Sequence, residues 1–283
     1  PGADRTSPPA GTSSAVPSSQ GVVTADLTRN ASMGDTWGPA EDQPSVRVGV
    51  DVGRKTLTSS LLGQDGRISD AQSATLPTNP RASMWVPSAK PGLERGVLPA
   101  EAKDVVFVWA GDHGAGSHDL QPLPGTPYQA FAIWMGSGTD GPPPLSGRIW
   151  TDGTRVFDNL GGEVRSARDG TAVAFIDRSQ GVFGLFDDGT SSTAMLADSG
   201  VPTIMTSREQ AGSDTLDTTV LLVLPAGARE VSLTASEGAT LEASQTHPGG
   251  TTEDTLVVAR LTVAPPALGV GVEQVTWTNA AGR

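Results

Sequence analysis

The strongest strand pattern in the sequence is Asp104-Val105-Val106-Phe107-Val108-Trp109, followed after a gap by Tyr128-Gln129-Ala130-Phe131-Ala132-Ile133-Trp134-Met135. The first run is almost continuously β-branched and aromatic, and in the second run large apolar side chains alternate with smaller neighbours. Both patterns are typical of strands with one or two covered faces. We therefore expect two buried strands, joined by one long loop over residues 111–127.

The remaining sequence favours the same fold class. Glycine (35 residues) and proline (22 residues) are frequent and aromatic residues make up only 5% of the chain, a composition that favours many short strands and turns. Apolar residues nowhere keep helical spacing for several turns without an intervening Gly or Pro. We predict an all-β protein of antiparallel, sandwich-like sheets with little helix.

Hairpin signals recur in the second half of the chain. Asp-Gly-Thr occurs at residues 152–154, 169–171 and 188–190, each time between apolar runs. Because Gly accepts the positive φ of a tight turn, Asp-Gly in this position predicts a hairpin. The predicted strands of this half cover residues 148–150, 154–157, 172–176, 182–186, 192–196, 218–224, 230–235, 240–244, 255–263 and 272–278.

We divide the chain into three parts. Residues 1–20 are Pro, Ser, Thr and Gly with almost nothing to bury, and they are predicted to be a disordered stalk or linker. Residues 21–145 form a first β lobe, with strands at 21–25, 46–52 and 56–62 and an irregular, proline-punctuated stretch at 70–103. Residues 146–283 form a β-meander and a sandwich-like C-terminal lobe; one large sandwich is the alternative to these two packed lobes.

The charge distribution argues against two classes of partner. The formal net charge is −12, and residues 101–283 carry 22 acidic and 10 basic groups, whereas residues 1–100 carry nine of each. An acidic surface repels phosphate backbones and anionic lipid headgroups. We expect no nucleic-acid partner, and membrane association only through an anchor outside this chain.

The stalk and the composition favour a location outside the cytoplasm. The chain contains no cysteine, so thiolate metal sites and disulfides are excluded. The start at Pro1 has two interpretations, a chain cut from an anchored or exported precursor and a chain that has lost its initiator Met. We favour the first, an extracytoplasmic, cell-surface domain of a bacterial cell-envelope protein, and the high Arg-to-Lys ratio is typical of an actinobacterial-like composition.

One loop offers candidate metal ligands. Asp112, His113, His118 and Asp119 combine imidazole and carboxylate groups within eight residues, and zinc or another divalent transition metal accepts both ligand types. Exposed turns also collect Asp, His and Gly for conformational reasons alone. The metal site is therefore one hypothesis, and an ordinary turn that binds no cofactor is the other.

Aromatic residues of the central stretch are candidate ligand-binding residues. Trp109, Tyr128 and Trp134 would form a stacking platform for a sugar if they lined one exposed sheet face. Tryptophan within an apolar strand is otherwise a core residue. Both interpretations remain open at the level of sequence.

A shorter segment resembles a known phosphate-binding loop. Val48-Gly49-Val50-Asp51-Val52-Gly53, continued by Arg54-Lys55-Thr56, is similar to the first phosphate loop of sugar-kinase and actin-like ATPases. The resemblance implies that Asp51 and Gly53 would face the phosphates of a nucleotide. The glycine usual at the position of Arg54 is missing, and a plain β-hairpin explains the same residues.

These observations favour a non-enzymatic binding, sensing or structural domain. Its expected partner is a protein or a cell-envelope polymer. No Gly-x-Ser-x-Gly elbow is present, and only three histidines are available for a catalytic triad. The alternatives are a secreted hydrolase, metal-assisted at residues 112–119, and a virion or other assembly protein with residues 1–20 as an assembly arm.

Removal of residues 1–20 should leave the thermal midpoint of the protein unchanged, because these residues offer almost no apolar surface to bury. Thermal unfolding of the full chain and of the trimmed chain, with size-exclusion chromatography of both, measures this. A lower midpoint or a dissociated oligomer after trimming would instead support the assembly-arm interpretation.

Overall fold

In the computed structural model every regular element of the described residues is a β-strand, and all strand pairings are antiparallel. The structure describes residues 21–28, 44–90, 92–109, 116–135, 145–187, 190–198, 200–210, 216–263 and 271–279. The predicted all-β, antiparallel fold class is thereby confirmed. No helix long and apolar enough to cross a bilayer occurs in these ranges.

The strands follow one another closely along the chain. They are β1 (Val23–Leu27), β2 (Ser45–Asp51), β3 (Thr56–Leu62), β4 (Ile68–Thr75), β5 (Met84–Val86), β6 (Leu93–Pro99), β7 (Asp104–Trp109), β8 (Gly116–Pro122), β9 (Tyr128–Met135), β10 (Leu145–Thr151), β11 (Val156–Phe157), β12 (Glu163–Asp169), β13 (Ala172–Asp177), β14 (Val182–Asp187), β15 (Thr190–Met195), β16 (Thr203–Gln210), β17 (Leu216–Leu224), β18 (Arg229–Ala235), β19 (Ala239–His247), β20 (Thr255–Val263) and β21 (Val272–Thr278).

The described strands form five sheets. Sheet A has the order β1-β2-β3-β4, and sheet B has the order β5-β6-β9-β8. Sheet C contains seven strands in the order β15-β14-β13-β12-β11-β10-β7. Sheet D has the order β16-β17-β20-β19, and sheet E pairs β18 with β21.

The five sheets pack in series. One apolar layer, which includes Val48 and Trp134, lies between sheets A and B, and a second, which includes Phe131 and Trp150, lies between sheets B and C. A third layer joins sheet C to sheet D, and a fourth joins sheet D to sheet E. Complete burial of one large apolar side chain contributes about 1.5 to 3 kcal/mol, so these layers are the main source of stability.

Sheet C is curled so far that it is nearly closed. Its two outermost strands, β15 and β7, lie side by side, but no backbone ladder joins them among the described residues. The concave face encloses its own apolar cluster, in which Phe175 and Phe186 have ring centroids 5.2 Å apart. Successive side chains of a strand point to opposite faces, so the same strands also supply the outer layers toward sheets B and D.

Polar contacts close both edges of the A–B sandwich. At one edge the Thr28 backbone N–H donates to Asp119 Oδ2 over 3.1 Å. At the other edge Asp70 accepts hydrogen bonds from Ser88 Oγ at 2.9 Å, from the Ala89 N–H at 3.0 Å and from Arg95 Nη2 at 2.8 Å. Arg95 is completely buried, so Asp70 supplies its counter-charge.

Two of the predicted Asp-Gly turns are confirmed. Gly153 and Gly170 both have positive φ, 88° and 60°, and Asp152 Oδ1 accepts the N–H groups of Thr154 and Arg155 at 2.8 Å. Asp188 and Gly189 of the third repeat lie outside the described residues. The hairpins organise sheet C as a meander, as the repeat predicted.

Two expectations about irregular segments were wrong. The predicted loop over residues 111–127 contains strand β8, which pairs with β9 along its length. The stretch 70–103 contains part of β4 and all of β5 and β6. Strand β8 is rich in polar residues, and β6 is interrupted by Arg95 and Gly96, so neither has the apolar alternation that predicts a strand. Within that stretch, β6 ends in a hydrogen-bonded turn, closed by the Ala102 N–H to the Pro99 carbonyl at 3.0 Å.

The sheet pairing also crosses the boundary that was proposed between the lobes. Strand β10 begins at Leu145, yet its partner is β7, from the first lobe. The sheets group instead as the A–B sandwich, the nearly closed sheet C and the D–E sandwich. The sandwich-like arrangement expected for the C-terminal strands matches sheets D and E, whereas the division into two lobes remains a prediction.

Asp70→Asn should lower the free energy of unfolding by about 3 kcal/mol, because it removes the carboxylate charge that is hydrogen-bonded to the buried Arg95 cation. Asn tolerates the left-handed conformation that Asp70 adopts, with φ of 48°. Burial alone would raise the pKa of Asp70, but its hydrogen bonds and Arg95 outweigh burial and hold the pKa below its usual value. The stabilisation by Asp70 is therefore present at neutral pH and is lost as the pH falls through that lowered folded-state pKa.

Urea denaturation of both proteins measures the effect, and Asp26→Asn is the matched control. Asp26 pairs with Arg47 on the exposed face of sheet A, with 2.6 Å between Oδ1 and Nε. Exposed ion pairs contribute little, so the control should change stability far less. Equal losses in the two variants would show that Arg95 does not depend on Asp70.

Candidate functional site

The predicted metal ligands are only partly described by the structure. Asp112 and His113 lie outside the described residues. His118 belongs to strand β8 opposite Ile133, and Asp119 accepts hydrogen bonds from the Thr28 N–H and from Gln121 Nε2, the latter at 3.2 Å. No group of three or more potential ligands arranged for a metal ion occurs in the described ranges. Asp119 thus has a structural contact, and the metal hypothesis remains a prediction.

The predicted aromatic platform is not brought together on an exposed face. Tyr128 and Trp134 lie on the same side of β9 and are buried in the layer between sheets A and B, 5% and 1% exposed. Trp109 ends strand β7 with its backbone opposite Leu145. For Tyr128 and Trp134 the alternative interpretation, a place in the core, fits the structure.

The segment that resembles a phosphate loop is the β2–β3 hairpin. Its turn is fixed locally, because Asp51 Oδ1 accepts the Arg54 N–H at 2.9 Å and the Lys55 N–H donates to the Val52 carbonyl at 3.3 Å. Asp51 therefore caps its own turn. The hairpin interpretation accounts for these residues.

The best candidate for a binding site is a cleft between sheets C and D, which the sequence did not indicate. Its volume is about 350 Å³. Most of the residues that line it carry side-chain hydroxyl or carboxylate groups, and the remaining two are one arginine and one leucine. The lining residues are Thr171, Asp187, Ser207, Asp217, Thr218, Thr219, Glu242, Arg260, Leu261 and Thr262.

Asp187 joins the two walls of the cleft. Asp187 ends strand β14 of sheet C. Its Oδ1 accepts a hydrogen bond from Thr171, in the turn before β13, and its Oδ2 accepts one from Thr219 of sheet D, both at 2.9 Å. Arg260 makes a second link, because its Nη2 donates to the Asp169 carbonyl at 2.9 Å. These contacts hold the walls at a fixed separation, so the cleft is preformed.

Gly170 is required where Arg260 crosses to sheet C. The residue has φ of 60°, and a Cβ built on it would lie 2.7 Å from Arg260 Nη2. Any side chain at this turn would push the guanidinium away from the Asp169 carbonyl. The Arg260 Nε–H is also buried, without a partner among the described residues, and it remains a donor next to the cleft.

Two further carboxylates are available to a ligand. Asp217 on β17 and Glu242 on β19 are exposed, and neither forms an ion pair within the described part of the chain. Glu242 stands at an irregularity of β19, between Leu241 and Ala243, where the register to β20 shifts by one residue. A bulge of this kind changes the direction of a side chain relative to that in a regular strand. With three carboxylates and one guanidinium, the cleft is acidic.

A second depression, of about 680 Å³, has its charges already paired. Arg178 Nε donates to Asp254 Oδ2 at 2.8 Å, and Arg165 donates from Nη1 to the Asp254 carbonyl and from Nη2 to the His247 carbonyl, the latter at 3.3 Å. These bonds attach the loop after β19 to sheet C. We regard this depression as an interlock between sheets rather than as a site.

The comparisons with known proteins identify no family. No protein-family model matches the sequence, and no curated protein is significantly similar to it. The cleft between sheets C and D is therefore interpreted from its own chemistry.

The metal hypothesis predicts that Zn²⁺ binds at the segment with His113 and His118 and that binding weakens as the pH falls from about 7.5 to about 5.5, because protonated imidazole cannot coordinate a cation. Calorimetric titration of the parent protein and of the double variant His113→Ala with His118→Ala measures this. His247→Ala is the control, since it removes the one histidine outside that segment. Equal binding by the double variant and the parent would leave residues 112–119 as turn and strand residues only.

Proposed function

We propose that this protein is a non-enzymatic, extracytoplasmic binding domain of a bacterial cell-envelope protein, and that the cleft between sheets C and D holds its partner. The observation that carries the proposal is the convergence of hydroxyl, carboxylate and guanidinium groups from two sheets on one preformed cleft. A small number of fixed polar groups in a concave site provides orientation and specificity for a ligand.

The chemistry of the cleft defines the class of partner. Its carboxylates accept hydrogen bonds from hydroxyl or ammonium groups, and its threonine and serine hydroxyls both donate and accept. A polyanion would meet the repulsion of Asp187, Asp217 and Glu242. We therefore favour a hydroxyl-rich polymer of the cell envelope as the partner, a choice that also agrees with the acidic charge of residues 101–283.

The lining residues favour binding over catalysis. None of the described lining residues is a histidine, cysteine or lysine. The two hydroxyls bonded to Asp187 belong to threonines, of which Thr219 links sheet D to sheet C. A nucleophile needs an adjacent base that is itself oriented by a third group. The groups at the cleft are instead arranged as hydrogen-bonding partners.

The double substitution Asp217→Asn with Glu242→Gln should weaken binding to soluble fragments of bacterial cell-wall polysaccharide by about 10-fold or more, because a hydrogen bond to a charged group contributes about 1.5 to 3 kcal/mol. Both residues are exposed, so the fold should be unaffected. Calorimetric or fluorescence titration with size-fractionated fragments provides the dissociation constants.

Glu273→Gln is the matched control, because Glu273 is an exposed carboxylate on β21, outside the cleft. Equal affinities of the double variant, the control and the parent would rule out the cleft as the binding site. Shortening of the polysaccharide during incubation, detected by chromatography, would favour the hydrolase alternative instead.

A further inference from the structure

A second group of charged residues lies between sheets B and C, away from the cleft. Glu94 of β6 shares a strand face with Leu98, and Arg148 of β10 shares a strand face with Trp150; Leu98 and Trp150 both belong to the apolar layer between these sheets. The Arg148 side chain is 0% exposed. Two charged side chains, Arg148 and Glu94, thus share strand faces with members of this apolar layer.

The position of the Arg148 guanidinium is fixed on two sides. Its Nε donates to Ser83 Oγ at 2.9 Å, and its Cζ lies 4.1 Å from the centroid of the Trp85 ring. Ser83 is held in turn, because its N–H donates to the Asn159 carbonyl at 3.1 Å. Trp85 is 36% exposed, so its indole separates the guanidinium from solvent.

The end of the guanidinium has no hydrogen-bond partner in the described part of the protein, although the Glu94 carboxylate is near enough to interact with it electrostatically. Nη1 and Nη2 are both buried and donate to no oxygen of a described residue, and Glu94 Oε2 is likewise buried without a partner there. Burial raises the pKa of Glu94, and burial lowers the pKa of Arg148 to about 9. Buried donors of a charged group are rarely left unpaired, because desolvation of the charge is costly.

We propose that the Nη1 and Nη2 groups of Arg148 form a binding site for a small monovalent anion of the size of chloride, beside Trp85 and Glu94. The Nη1 and Nη2 groups at the end of a guanidinium offer two parallel N–H donors to one acceptor. The complete burial of Arg148 favours a small anion, and the neighbouring Glu94 carboxylate disfavours a multiply charged one. This site does not depend on the function proposed for the cleft.

Anion-specific stabilisation tests the proposal. An anion that binds only to the folded state stabilises that state. At equal ionic strength, the thermal midpoint of the full chain should therefore be about 2 °C higher in sodium chloride or sodium bromide than the midpoint that the general effect of salt alone would give. Sodium gluconate provides the measure of that general effect, because its anion is much larger than a halide ion. The halide-specific gain should be lost in Arg148→Lys, which keeps the charge and removes the two parallel donors.

Arg155→Gln is the matched control. Arg155 also lies over an aromatic ring, 5.3 Å from the centroid of Phe157, but it already pairs with Asp152 at 3.0 Å. The control should therefore retain the halide-specific gain of the parent. Loss of the gain in both variants, or its absence from the parent, would overturn the proposal.

Glu94→Gln separates the anion site from a direct ion pair. Removal of the neighbouring negative charge should at least double the halide-specific gain in the thermal midpoint if an anion binds at Arg148. If Glu94 itself occupies the donors in solution, the variant should be less stable than the parent, and the parent should show no halide-specific gain. The second result would assign Glu94 and Arg148 to a structural ion pair and overturn the proposal.

A crystallographic measurement decides the matter even if Arg148→Lys does not fold. Crystals of the parent protein in sodium bromide should show an anomalous difference peak within hydrogen-bonding distance of Nη1 and Nη2. A water molecule or the Glu94 carboxylate at that position, without anomalous signal, would overturn the proposal.

Discussion

Three successive sheets of the described chain are apolar on both faces, and each of these faces must be covered. Sheet B contacts sheet A through one face and sheet C through the other, and sheet D lies in the same way between sheets C and E. Sheet C meets the same requirement partly by curling around its own apolar cluster. Because uncovered apolar faces on this scale are unfavourable in water, the series arrangement follows from the strands themselves.

The same requirement explains where the charged groups occur. Within the layers, charge is tolerated where it is held by specific contacts, as in the bond of Arg95 to Asp70 and the stacking of Arg148 on Trp85. At the margin between sheets C and D the layer becomes polar, and Asp187 and Arg260 hold the walls apart. A cleft can therefore form there without loss of core.

The sequence predicted the strands that carry an apolar pattern. Strands β13, β14, β20 and β21 were located within one or two residues, and the Asp-Gly turns of sheet C were confirmed where they are described. Strands β8, β12 and β16 were missed, because their residues are mostly polar and the neighbouring strand, rather than their own pattern, determines their conformation. The candidate site could not be predicted from the sequence for a related reason. Thr171 and Asp187 meet at one end of the β13–β14 hairpin, whereas Arg260 is far from both along the chain. Only the packing of sheet C on sheet D brings Arg260 to them.

The series arrangement also has a mechanical consequence. Strand β1 belongs to the first sheet of the stack and β21 to the last, so a tension applied between the two ends of the described chain must pass through every apolar layer in turn. Packed sheets are spaced by roughly 10 Å. Because the apolar layers lie in series, each of them bears the full applied force. Under such a load the sheets should separate at successive interfaces, and the extension would rise in steps.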